Sequence, residues 1–177
     1  MNRRVSRTSL AAVVAVIVAA GCATTNTTSG GAVGVNRQQT MLVSSSEINS
    51  QAAKAYQDTI SEARTKKTLN RNPADLTRVR AIAARLIPVT SVFRTDAPGW
   101  RWESNVITSD ELNAWCMPGG KIAVYTGLIY KLNITDDELA AVMGHEIAHA
   151  LREHGREKAG QATGVGIAAA IGGVVGA

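Results

Sequence analysis

His145-Glu146-Ile147-Ala148-His149 is the stretch of this 177-residue chain whose residue types and spacing can do chemistry. On a helix, residues four apart share a face and lie about 6 Å apart along the axis. Two imidazoles so placed can converge on one Zn²⁺ at ~2.0–2.1 Å. Glu146, beside the first histidine, is placed to work on a water at that ion rather than to ligate it. The chemistry this describes is metal-assisted hydrolysis. The chain has only three histidines, all between positions 145 and 154, so coincidence is a weak explanation. The bland alternative is a pair of histidines that cap or line a helix. It would leave a glutamate among apolar residues without a metal, partner or proton, which is costly. On a continuous helix His154 would sit ~13 Å along the axis from His145. It therefore reads as a surface or helix C-terminal histidine, and Glu153 fails as a ligand on the same distance.

The elements that must position these residues are legible around them. Thr135-Asp136-Asp137-Glu138 is a capping box, with acidic residues in the first turn to suit the helix dipole. From there the spacing predicts a helix through Leu139, Val142, Met143, Ile147 and Leu151 to about His154, with Gly155 as its stop. Upstream, Leu112–Met117 and Lys121–Thr126 flank Pro118-Gly119-Gly120 and predict a hairpin. Trp100, Trp102 and Val106 alternate with Arg101 and Glu103, which is strand patterning after a Pro98-Gly99 turn. Two earlier helices are expected as packing elements. One has Ile48, Ala52, Tyr56, Ile60 and Ala63 at helical spacing. The other is capped by Asn72-Pro73, stopped by Pro88, and buries Leu76, Val79, Ile82, Ala83 and Leu86. Helices, then a small antiparallel sheet, then more helix is an α+β layout.

Asn113-Ala114-Trp115-Cys116-Met117-Pro118-Gly119-Gly120-Lys121-Ile122, then Tyr125-Thr126-Gly127-Leu128, then the capped His145–His149 helix resemble the HtpX-like gluzincin metallopeptidases. These form peptidase family 48 of the metallo class, and the likeness is to its secreted and lipoprotein branch. It covers roughly residues 46 to 175. The resemblance implies a zincin-like fold, one catalytic zinc per chain held by His145 and His149, Glu146 as the catalytic base, and endopeptidase action on proteins of the cell envelope. It also implies that Asn113 and Ala114 lie on a sheet-edge strand that binds substrate backbone by strand addition; pure core packing of that hairpin is the alternative.

The resemblance further implies a third zinc ligand, a glutamate on a helix well downstream. No acid follows Glu157. Residues 46–177 are accordingly expected to be the N-terminal and central part of a metallopeptidase domain, the alternative being a naturally shortened, inactive relative. From Ala159 the chain is uncharged and rich in glycine and alanine. A helix packed on the rest of the domain is expected there, with a membrane-spanning helix as the competing reading. Cys116 is expected to be a buried strand cysteine, with a zinc ligand or redox switch as the lesser reading.

Residues 1–21 read as a secretory leader, with Arg3, Arg4 and Arg7 before the apolar run Leu10–Ala20. Val18-Ala19-Ala20-Gly21-Cys22 resembles a bacterial lipobox, in which Cys22 is lipidated and becomes the new N-terminus; an ordinary signal peptide is the alternative. Residues 22–45 are then a lipidated cysteine and a flexible polar tether, and Ala23 resembles sorting to the outer membrane, on its periplasmic face. The net charge of +5 falls to a small excess once the leader's arginines are set aside. Aromatic residues are scarce and no run of five like charges occurs, so nucleic acid is not an indicated partner. The expected partners are protein or peptide substrates of the envelope and, through the anchor, a membrane. A reading of another class is a catalytically inactive envelope lipoprotein that uses the same body as a chaperone-like binding scaffold.

Overall fold

The computed structural model describes residues 24–32 and 34–161. The leader, Cys22 and the chain after Gln161 lie outside the described residues. Two helices come first in the body. The first, α1 (Ser45–Thr65), is capped by the Ser44 side chain, which accepts from the Glu47 N–H, and it buries Ile48, Ala52, Tyr56, Ile60 and Ala63 as its spacing predicts. The second, α2 (Pro73–Leu86), starts with Asn72 accepting from the Ala74 N–H and Pro73 in the first turn. Val79, Ile82 and Ala83 are buried, with Leu76 and Leu86 partly so. Pro88 does not end helical structure outright. The chain tightens into a 3₁₀ segment, Ile87–Val92, in which the missing proline N–H is more easily tolerated.

Three strands follow: β3 (Glu103–Ile107), β4 (Ala114–Met117) and β5 (Lys121–Tyr125). An earlier pair, β1 (Thr24–Thr25) and β2 (Gln39–Thr40), forms a separate antiparallel ribbon. The hairpin expected about Pro118-Gly119-Gly120 is present, with β4 antiparallel to β5 and Gly119 and Gly120 both at φ near 80°. A side chain at Gly120 would collide with the Trp102 ring. The all-antiparallel sheet expected from the sequence is corrected: β3 runs parallel to β5, and the order is β3-β5-β4. The reason is a crossing. After Ile107 the chain passes over the end of β5, where a side chain at Gly127 would strike the backbone of Asp110 and Glu111. It then returns as β4 on the far side. Trp100 and Trp102 also precede the strand rather than belong to it. Their rings stack 5.5 Å apart and Trp102 Nε1 donates to the Ala97 carbonyl, which holds this stretch in a turn.

Both faces of this sheet are covered. Val106, Cys116, Ile122 and Val124 point towards α2 and the later helices, whereas Ile107, Trp115, Met117, Ala123 and Tyr125 point towards α1. The alternation is strict, as a pleated strand demands, yet both sets are apolar because each face meets a helix.

After a short helix, α3 (Thr126–Lys131), comes α4 (Asp136–Leu151). The capping box is formed in both directions: the Glu138 N–H donates to Thr135 Oγ1 and the Thr135 N–H donates to the Glu138 carboxylate. Leu139, Met143, Ile147, Ala150 and Leu151 are buried, against a sheet whose nearest strand is β4.

The far end of α4 departs from expectation. The helix does not run to His154, nor does Gly155 stop it. It ends at Leu151, Glu153 adopts a left-handed conformation (φ 51°), and a new helix, α5 (His154–Gln161), begins at once. Side chains both distant and near along the chain hold this bend. Thr27 Oγ1 and Gln39 Nε2 both donate to the Arg152 carbonyl, at 3.0 and 2.9 Å. Arg94 and Arg156 grip the Glu153 carboxylate at 2.7 and 2.8 Å. The polar stretch expected as a tether thus touches the body in several places. Arg37 pairs with the buried Glu157 at 2.6 Å, and the Ser29 N–H donates to the Phe93 carbonyl. Among the described residues no helix is long and apolar enough to cross a membrane.

Candidate metal centre

One turn of α4 separates His145 from His149, and their rings meet edge to face with centroids 4.5 Å apart. His145 Nε2 and His149 Nε2 lie 2.9 Å from each other. Two nitrogens bound to one tetrahedral ion at ~2.0–2.1 Å stand about 3.4 Å apart. The pair therefore needs to open by only a few tenths of an ångström to share an ion, and the donor set fits zinc. His145 is exposed and His149 partly buried, so the site opens to solvent on one side. Among the described residues no group of three His, Cys, Asp or Glu side chains gathers to hold a metal.

Glu146 follows the first histidine and is partly buried. Burial raises its pKa, and the neighbouring His145 pulls it part of the way back. A carboxylate so placed is a stronger base than one in free solvent. Burial also lowers the pKa of His149, with His145 and Lys158 adding to the effect. A neutral imidazole is the form that ligates a metal.

Cys116 is buried on β4 with no disulfide partner among the described residues. Its thiol is held far above the ordinary range by burial, with the charge of Glu146 adding to it. That is the chemistry of an inert packing cysteine rather than a thiolate ligand. Ala114 opens β4 opposite Val124, and the carbonyl of Asn113 accepts from the Tyr125 N–H at 3.0 Å. Ala114 thus belongs to the strand at the edge of the sheet, next to α4, and Asn113 immediately precedes it. Beside the histidine stripe of α4, Gly144, Ile147, Ala148 and Leu151 join Leu86 and Phe93 around an apolar cavity of about 220 Å³. Cys22 lies outside the described residues.

Sequence reasoning misplaced one residue. The bend at Glu153 turns His154 back, so that its Nδ1 lies 2.6 Å from Nδ1 of His149, with ring centroids 4.8 Å apart. The ~13 Å that separates His154 from His145 on a continuous helix does not apply, because the helix is not continuous. Burial lowers the pKa of His154, and nearby His149 lowers it further, while Glu157 works against both. No local signal in the sequence marks this bend. Glu153 is neither glycine nor asparagine, and of the arginines that hold its carboxylate Arg156 is three residues on while Arg94 lies far away along the chain.

Several known proteins resemble the chain over this region. Metalloendopeptidase OMA1, mitochondrial, of Bos taurus is 37% identical over 95 residues, which is 51% of this chain and 17% of that protein. Metalloprotease LoiP of Escherichia coli is 33% identical over 98 residues, 53% of this chain and 38% of the relative. Metalloprotease YcaL of the same organism is 28% identical over 103 residues, 54% and 40% respectively. The chain thus spans well under two thirds of the length of these relatives. The pattern of peptidase family M48 matches residues 73–177, a stretch that takes in α2, the three-stranded sheet and the whole histidine helix. On that match, over more than half of its length, this chain belongs to peptidase family M48.

Proposed function

We propose that this chain is the part of a zinc-dependent metalloendopeptidase that carries His145, Glu146 and His149, acting on proteins of the bacterial cell envelope in protein quality control. The observation that carries the reading is the 2.9 Å convergence of two imidazole nitrogens on a capped helix, in a chain of a metallopeptidase family. His145 and His149 would hold one Zn²⁺, and a glutamate from a downstream helix, which the residues after Glu157 do not contain, would complete the set. Bound there, the ion supplies Lewis acidity for the scissile carbonyl and for a water. Glu146 accepts the proton of the attacking water and returns it to the leaving amine nitrogen. The edge strand β4, with Ala114 at its start and Asn113 just before it, would align an extended substrate by backbone hydrogen bonds.

The envelope assignment rests on the leader-like residues 1–21 and on Cys22 as a lipidated residue, in the manner of the secreted, lipoprotein branch of HtpX-like enzymes. The protein would then sit on the periplasmic face of the outer membrane. A casein digestion by the membrane-extracted protein, with zinc content measured in parallel, tests the reading. Cleavage that stops on chelation and returns with zinc, and is absent in Glu146→Gln at unchanged zinc content, is expected. Zinc-free protein, or cleavage indifferent to chelator, would overturn it. Zinc-loaded protein that cleaves nothing would favour the binding-scaffold reading.

A further inference from the structure

His149 uses both edges of its ring. Nε2 faces His145 at 2.9 Å, and Nδ1 faces Nδ1 of His154 at 2.6 Å. The two nitrogens lie on opposite edges of the imidazole, so His154 cannot join His145 and His149 around one ion. We propose that His154 is a positioning residue for the metal pair: its Nδ1 accepts a hydrogen bond from the Nδ1–H of His149, which holds the His149 ring with its Nε2 lone pair turned towards the metal position. This rests on the reading of His145 and His149 as a metal pair.

The proton count is consistent. A neutral His149 that offers Nε2 to a metal must carry its proton on Nδ1. That N–H needs an acceptor, and metal-bound histidines nearly always find one in a carboxylate, a backbone carbonyl or water. Here the atom within reach is the His154 nitrogen, which keeps its own proton on Nε2.

The bend also keeps the acceptor in place. Glu153 at φ 51° is gripped by Arg94 and Arg156, and the preceding carbonyl, that of Arg152, is held by Thr27 and Gln39. On the next turn Glu157 is fixed by Arg37 and by Gln39 Nε2 at 2.9 Å. A left-handed glutamate costs free energy, and this network offsets it, with the result that His154 turns back onto His149.

The test uses the full chain labelled with ¹⁵N in its histidines, together with His154→Leu and His154→Gln. In the zinc-loaded protein a scalar coupling across the N–H···N bond should connect His149 Nδ1 to His154 Nδ1, with the proton on His149. Zinc affinity, read by competition with a chromogenic chelator, should fall about 10- to 100-fold in His154→Leu, the usual loss when an outer partner of a ligand is removed. His154→Gln, whose carbonyl can still accept, should recover most of it. A His149 Nδ1–H with no coupling to His154 would overturn the proposal, as would zinc affinity unchanged in His154→Leu. His149→Ala separates the two levels: zinc binding indifferent to that substitution removes the metal pair itself, whereas loss there with no effect at residue 154 removes only the role of His154.

Discussion

The two ends of the histidine helix are built by different means. Its start is local: Thr135 and Glu138, three residues apart, exchange hydrogen bonds, and the acidic first turn faces the positive end of the dipole. Its finish is not. The Arg152 carbonyl is held by Thr27 and Gln39, and the left-handed Glu153 by Arg94 as well as by the nearby Arg156; Thr27, Gln39 and Arg94 all lie more than fifty residues away along the chain. A local device sets where a helix begins at modest cost. A distributed one can force a turn that its own residue type does not favour, and here it places a third imidazole against the histidine pair.

Substitutions at the two ends should therefore behave differently. The largest effect is expected from His149→Ala, which removes a proposed ligand and the centre of the histidine array. Zinc affinity should drop by more than the roughly 100-fold that an outer-partner change can cost, with the helix itself intact by circular dichroism. Next is Arg94→Ala, which strips Glu153 of a partner and the Leu151 carbonyl of a 3.4 Å contact. A loss of about 2 kcal/mol is expected, since hydrogen bonds to charged groups are each worth ~1.5–3 kcal/mol. Zinc affinity should fall with it. A destabilised variant with undiminished zinc affinity would mean that the bend does not serve the site.

Thr135→Ala, at the other end, should cost about 1 kcal/mol by denaturant unfolding and leave zinc affinity alone. If it weakened zinc as much as Arg94→Ala does, the contrast between the ends would collapse. The smallest effect lies away from both. Glu103 donates no proton at neutral pH and is held below the ordinary carboxylate range chiefly by its hydrogen bond from Lys121, with Tyr56 also contributing. Because the folded pKa is the lower one, this stabilisation is present above the unfolded value and is lost as pH falls through the folded one. Glu103→Gln should accordingly flatten the acid limb of a melting-temperature profile slightly. An unchanged limb would remove that assignment.

How much of this could be read in the sequence follows the same division. The stripe of α1, the Asn72-Pro73 start of α2, the Pro118-Gly119-Gly120 hairpin and the capping box all depend on residues within a few positions of one another. The histidine pair with its intervening glutamate was legible for that reason too. The parallel pairing of β3 with β5 was not, because it depends on a crossing over Gly127. Strands buried on both faces also show no polar alternation to reveal their partners. The turn at Glu153 is hidden for a related reason: its residue is not glycine, and beside the local contact to Arg156 it depends on Thr27, Gln39 and Arg94, which only the fold brings near. A continuous helix puts His154 at a distance from His145, whereas the chain bends between them.

Zinc K-edge X-ray absorption on the zinc-loaded chain tests the central claim most directly. Outer-shell scattering from two imidazoles, with first-shell nitrogen or oxygen at ~2.0–2.1 Å, is the result the proposed metal pair predicts, and one imidazole should vanish in His145→Ala. A spectrum without histidine scattering, or with sulfur at ~2.3 Å, would contradict the assignment of His145 and His149 as the metal pair.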